Sequence, residues 1–333
     1  MKAFLCGLAA VLALSAGSAL AEEPIIIKFS HVVAPDTPKG KGALRFKELA
    51  EKYTKGRVKI EVYPNSQLYK DNEEVDALQL GSVQILAPSL SKFGPLGVRQ
   101  FEVFDLPYIL PDKAVLRRIV NGPLGKQLFQ KLEPKGIRGL AYWDNGFKVI
   151  TANKPLRRPE DYLGLKLRIQ SSKVLEAQMR ALGAIPQIMA YSEVYQALQT
   201  HVIDGCETGV TNVYTQKMYE VQKYVNLTFH GYNGYAVIVN AKFWDGLPAG
   251  IRTELEHAMS EATVYVNEIA QKESDDALAA IAASGVSQLV TLTPDEKKAM
   301  RDALLPVHKE MEGRIGKDLI DAFYAEAKAE APK

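Results

Sequence analysis

Apolar and polar positions first organise at residues 25–30, where IIIKFS reads as a β-rich run. A polar turn, APDTPKGKG, follows, and the next segment, Ala43 to Tyr53, places Leu44, Phe46, Leu49 and Ala50 at roughly helical spacing. VKIEVYP alternates as a strand, NSQLYKDNEEVDALQLG reads as a helix ended by Gly81, and VQILAPS as another short strand. This β-α-β-α-β order is the pattern of a parallel sheet covered by helices. It recurs after Gly136: IRGLAYWD, KVITAN and LKLRIQ predict strands, SSKVLEAQMRALG a helix, and SEVYQALQTHVIDG a helix with its turn. Between the two units, NGPLGKQLFQKLEPKG predicts a helix bounded by Gly and Pro. GYNGYAVIVN is a strand flanked by glycines, and Gly246-Leu247-Pro248 opens an Ala- and Glu-rich helix running to about Ser284, long enough to brace both halves. Two α/β units with no Pro-rich or low-complexity linker between them predict lobes joined by several crossing strands, with a ligand cleft between the lobes.

The opening residues change the picture of where the chain works. Lys2, the apolar run Phe4 to Leu14 and the small-residue motif Ala19-Leu20-Ala21 read as a cleaved secretory signal over residues 1–21. The run is shorter than the roughly 20 residues a bilayer span needs. The mature chain is expected to start at Glu22, to be soluble, and to work in the periplasm. Removing the signal removes Cys6, which leaves Cys206 alone and no intramolecular disulfide, so stability must rest on a packed core. A chain of 333 residues with 47% hydrophobic content is long enough for about two domains. Its net charge of +2 argues against nucleic acid as a partner, because phosphate backbones demand a clustered basic face.

Catalytic chemistry finds little support in the residues. Cys206, in IDGCETG, has no nearby histidine, and the five histidines His31, His201, His230, His257 and His308 lack metal-ligand spacing. GKGAL has the spacing of neither nucleotide fingerprint, and no G-x-S-x-G elbow occurs. No catalytic residue, metal or cofactor is therefore expected. What remains is cations. In LKLRIQ, Leu165, Leu167 and Ile169 take one face of a strand and Lys166, Arg168 and Gln170 the other. Arginine's planar fork suits a bidentate grip on a carboxylate, and strand ends in α/β sheets are where ligands bind. The alternative for Arg168 is a solvated sheet face. Lys148 follows WDNGF at a strand start, and Lys39 and Lys41 lie in a Pro/Gly loop before the first helix, where backbone N–H groups reinforce an anion site. Each lysine alone could equally be solvated.

IKFSHVVAPDTPKGKGALRFKELAEKYT, VYPNSQLY, LAPSLSKFGPLG, FEVFDLPYI, WDNGFK, LGLKLRIQSSKVLEAQMRALGA, SEVYQALQTHVIDG and GYAVIVNAKFWDGLP, in that order, resemble the DctP group of tripartite ATP-independent periplasmic (TRAP) solute-binding proteins. HVVAPDTPKGKGA and LRIQSSKVLEA resemble its C4-dicarboxylate branch in particular. The resemblance implies an α/β fold of the two-lobed periplasmic binding protein type, with a ligand cleft between lobes, crossing strands and one long helix spanning both. It divides the chain into lobe I, residues 22–145 and 234–273, and lobe II, residues 146–233 and 274–333. By resemblance Arg168 forms the salt bridge to a ligand carboxylate, Lys148 and Asn212 complete that grip, Lys39 and Ser89 take a second carboxylate, and Phe147, Gln170 and Tyr235 shape the pocket. The implied function is capture of succinate, fumarate or malate by a monomer that hands them to the small and large subunits of a membrane permease, with lobe closure about the crossing strands. One departure bears on selectivity: where the branch carries an E-N-P-P-type run, this chain has Glu207-Thr208-Gly209-Val210-Thr211-Asn212. Another organic acid (a 2-oxo acid, a sugar acid or a longer dicarboxylate) stays open as the ligand, as do an exported enzyme acting on a carboxylic acid and a sensor domain as partner.

Overall fold

The structure, a computed structural model, describes residues 23–329, so the signal segment read over residues 1–21 lies outside the described residues. Ten strands occur among them. β1 (Ile25–Ser30) pairs in parallel with β2 (Val58–Tyr63) and β3 (Ile85–Leu86). β4 (Ile137–Ala152) is the pivot. Its first part pairs antiparallel with β9 (Tyr232–Asn240), which in turn meets β3, while its last residues pair antiparallel with β7 (Gly205–Gly209) and β8 (Tyr224–Leu227). Beyond β7 lie β5 (Lys166–Ile169) and β6 (Ile185–Ile188), and β10 (Gln288–Thr291) pairs with β8. The order β2-β1-β3-β9-β4-β7-β5-β6 makes two half-sheets that share β4, which with β9 crosses between the lobes.

The sequence pattern splits β4 into two strands, IRGLAYWD and KVITAN, at Asn145-Gly146, whereas the chain runs through as one strand of 16 residues. A register shift between Asp144 and Phe147, with Gly146 at φ +79°, bends the strand instead of ending it. Other elements shrink. The helix read from Asn65 to Gly81 is only Glu74–Gln79, because Asn65 and Ser66 take left-handed φ of +53° and +58°, and VQILAPS keeps only Ile85–Leu86. The long helix is present as Ala249–Ser284, 36 residues. Its early buried residues, Ile251 to Val266, pack with Phe46 and Trp143 in the core of the first half-sheet. Ala277 and Ile281 pack with Val149 and Val210 in the second. A single rigid element thus bears on both lobes.

The C-terminal residues from Val307 to Phe323 pack against elements of both lobes. Val307, Met311, Ile315, Ile320 and Phe323 bury among Phe101, Phe104, Leu116 and Ile119 and also reach Val174 and Ala177. Their apolar faces need a surface to cover, and the nearest one straddles both lobes.

The helix Pro38–Tyr53 starts where local chemistry dictates. Thr37 caps it by accepting from the Gly40 amide at 3.1 Å, and Pro38 takes the first turn, where a missing N–H costs nothing. This turn carries Lys39 inward. Thr37→Ala is expected to cost about 1 kcal/mol of unfolding free energy, the usual worth of such a cap. Denaturant titration measures it, and a midpoint that does not move would show that the cap bears no load.

Candidate functional site

A small cavity lies between the lobes. Lys39, Asp71, Glu74, Ser89 and Lys92 come to it from the first lobe; Arg168, Gln170, Tyr191, Thr208 and Asn212 from the second; Asn233 and Tyr235 from crossing strand β9. A larger surface groove lies between Leu44 and Val264, but the charged side chains along it are exposed or half-buried. In the cavity, Lys39 and Arg168 are each 1% exposed. Burying a cation this deeply is tolerated only where it is paired or hydrogen-bonded.

Arg168 sits in register with Cys206 of β7 and Gln187 of β6, so its side chain leaves the sheet toward the cleft. Nε and Nη2 donate to the Met189 carbonyl at 3.2 and 3.0 Å, which fixes the plane of the guanidinium, and Tyr191 lies beneath it at 5.6 Å. Nη2 also reaches Asp71 Oδ2 at 3.5 Å. Asp71 pairs with Lys92 at 2.8 Å and accepts from the Tyr191 amide at 3.1 Å. Burial alone would raise the Asp71 carboxyl, but Lys92 and Arg168 outweigh it and hold the group below its ordinary range.

Across the cavity, Lys39 donates to the Ala87 carbonyl at 2.9 Å and lies 3.8 Å over the Tyr235 ring. Burial lowers Lys39 to about 8, and burial raises Glu74, which faces the same space, to about 7. Asn212 accepts from Asn145 at 3.2 Å and donates to Thr208 at 3.2 Å. The Tyr235 hydroxyl, the Asn233 amide nitrogen and Glu74 Oε2 are buried without a protein hydrogen-bond partner. A wall of oriented, unsatisfied polar groups is what a polar ligand would complete.

A second charged cluster sits outside this cavity wall. Lys148 Nζ lies 2.8 Å from Glu207 and 3.2 Å from Asp105, all fully buried, with His230 at 3.7 Å from Glu207. Burial would raise Glu207, yet Lys148 and His230 hold it down at about 2, while Asp105 stays raised by burial. Cys206, beside it, is pushed up to about 11 by burial, which makes it a poor nucleophile.

Residues 29–314 match the family model described as bacterial extracellular solute-binding protein, family 7, DctP. The chain belongs to the DctP family. It is 64% identical over 303 residues to the C4-dicarboxylate-binding periplasmic protein DctP of Rhodobacter capsulatus, covering 91% of each chain. In structure it resembles a TRAP periplasmic solute-binding protein from Shewanella oneidensis with bound succinate (TM-score 0.90, 44% identity, 92% of this chain and 100% of that one). A counterpart from Pseudomonas aeruginosa, with bound L-malate, matches at TM-score 0.84 and 44% identity over 86% of this chain and 100% of that one. DctP is a solute-binding family, and the two-lobed α/β architecture seen here is the one these structures share.

Of the residues picked from this DctP-family sequence, Arg168, Asn212, Lys39, Ser89, Gln170 and Tyr235 meet in one cavity. Lys148 and Phe147 do not line it. Lys148 is neutralised by two carboxylates, and the Phe147 ring stands edge-on to Tyr232 at 6.3 Å. Lys41 turns outward to Glu273 at 2.6 Å, two residues and more than half a helical turn from Lys39. Lys92, Asp71, Glu74, Tyr191, Thr208 and Asn233 were not legible. Asp71 and Glu74 fall in NSQLYKDNEEVDALQLG, read only as a helix, and Lys92 in LAPSLSKFGPLG, a string that carries the resemblance without singling it out. No periodicity marks a loop residue that becomes buried only when two lobes meet.

Proposed function

We propose that this protein is the periplasmic binding component of a TRAP transporter. It is exported with the help of the segment over residues 1–21, captures a C4-dicarboxylate such as succinate, fumarate or malate, and delivers it to a membrane permease. The observation that carries this reading is an interlobe cavity with a buried guanidinium, Arg168, from one lobe and a buried ammonium group, Lys39, from the other. A short dianion satisfies both sides at once and so ties the lobes together, which couples binding to closure. Arg168 and Asn212 hold one carboxylate, and Lys39, Ser89 and the Tyr235 hydroxyl take the other. The names and bound ligands of the relatives support the same ligand class. Calorimetric titration tests the reading, using protein freed of bound ligand by unfolding and refolding. Dicarboxylates binding while a monocarboxylate does not supports it; failure of all three four-carbon acids to bind removes it.

The site's charge makes the affinity depend on pH. As pH falls, Glu74 becomes neutral and Lys39 stays cationic, so the cavity grows more positive; as pH rises through 7 and 8, Glu74 ionises and Lys39 loses its proton. Both changes act in the same direction against a dianion. With the ligand kept fully ionised, Kd is expected to rise by about tenfold between about pH 6.5 and 9, the equivalent of about 1.4 kcal/mol. A flat profile over that window would mean that neither group faces the ligand.

A further inference from the structure

The interlobe cavity has a neighbour. On the far side of Asp71 and Lys92 lies a hollow that opens to solvent, lined by Asn72, Val75, Asp76, Pro95, Leu96 and Ser171, all exposed or half-buried. Asp71 and Lys92 are the only residues that line both spaces. Their ion pair, 2.8 Å long, with the Asp71 and Lys92 side chains 4% and 8% exposed, is therefore the partition between the ligand cavity and the hollow. Three contacts hold the partition in place: the Tyr191 amide on Asp71 Oδ1 at 3.1 Å, Arg168 on Oδ2 at 3.5 Å, and Ser171 Oγ on Lys92 Nζ at 3.3 Å.

Resting on the dicarboxylate reading above, we infer that the Asp71–Lys92 pair is the end wall that limits ligand length. A carboxylate is an odd lining for a site that takes anions. Its charge is cancelled by Lys92 and Arg168, so what it presents to a ligand is bulk at a fixed depth. A four-carbon dianion spanning from Lys39 to Arg168 would end against the guanidinium, which itself meets Asp71 at 3.5 Å. A five- or six-carbon acid held at the Lys39 end overshoots Arg168 and drives its far carboxylate into Asp71, where crowding opposes it. Behind the wall, the hollow offers apolar surface from Val75, Pro95 and Leu96 for extra methylenes and Lys92, once released from Asp71, for the distal carboxylate, against the solvated Asp76 at its rim. An apolar pocket discriminates by about 10- to 200-fold per methylene.

The test is calorimetric titration of the whole mature protein with succinate, glutarate and adipate. Wild type is expected to bind adipate at least about 100-fold more weakly than succinate. Asp71→Ser shortens the wall but keeps an acceptor for the Tyr191 amide, and it is expected to reduce the adipate-to-succinate Kd ratio by about tenfold or more. Asp71→Asn keeps the side-chain length and is expected to leave the ratio within about threefold of wild type, since the bulk of the wall remains. An unchanged ratio in a folded Asp71→Ser protein overturns the inference, and so does wild type that binds adipate as well as succinate. The second result stands even if the serine variant does not fold. Wild type that binds no four-carbon acid would remove the dicarboxylate reading itself, whereas succinate binding without a length cut-off removes only the wall.

Discussion

Arg168→Ala is expected to weaken dicarboxylate binding by about 100-fold or more while the chain stays folded, because breaking one half of a buried charge pair costs on the order of 3 to 5 kcal/mol, at 1.4 kcal/mol per tenfold. The guanidinium is 1% exposed and already fixed in plane by the Met189 carbonyl, so its geometry toward a carboxylate is set before the ligand arrives. Arg168→Lys separates charge from shape: it keeps the cation but loses the fork, and an intermediate Kd is expected. Calorimetry on ligand-free protein gives Kd, and circular dichroism shows that the fold is intact. An alanine variant that is folded and binds succinate with wild-type affinity would eliminate the proposed grip.

Lys148→Met is expected to act on stability first. The substitution leaves Asp105 and Glu207 buried beside each other with no ammonium group between them, at a cost of about 3 to 5 kcal/mol. The pH dependence identifies the cause. In the wild-type protein Glu207 is held at about 2, below its ordinary 4.5, so the stability it contributes is fully present above about pH 4.5 and is lost as pH falls toward 2. Without Lys148 that contribution disappears. The gap between variant and wild type is therefore expected to be widest near neutrality and to narrow below about pH 4.5. Urea unfolding at several pH values measures it. If the variant unfolds like wild type at pH 7 and only its ligand affinity falls, Lys148 touches the ligand, as the family resemblance implies, and the buried-cluster account is wrong.

These two cations show how differently the sequence speaks about similar residues. Arg168 alternates with Leu167 and Ile169, which announces a strand face but not what that face meets; Lys166 on the same face is exposed, and Arg168 is buried because the cleft closes over it. Lys148 follows an Asn-Gly pair that looks like a strand start. The strand in fact continues through that pair, and this places Lys148 opposite Gly209 of β7 and beside Glu207. A local pattern cannot report a partner that strand pairing brings from a distant segment.

The sequence by itself determined the order of elements, the two α/β units, the helix Ala249–Ser284 that spans them, and the family, because each is written in local periodicity, in turn residues or in strings of residues kept in order. Only the tertiary structure decided which charges share a cavity. Asp71, Glu74 and Lys92 lie in short helices and turns whose polarity fits solvent equally well, and they become buried site residues only because the two half-sheets fold together across β4 and β9. The same packing withdrew Lys148 from the cavity and drew the C-terminal helices onto both lobes. Burial of a charge depends on what surrounds it in space, and that environment is set by long-range pairing that periodicity does not encode.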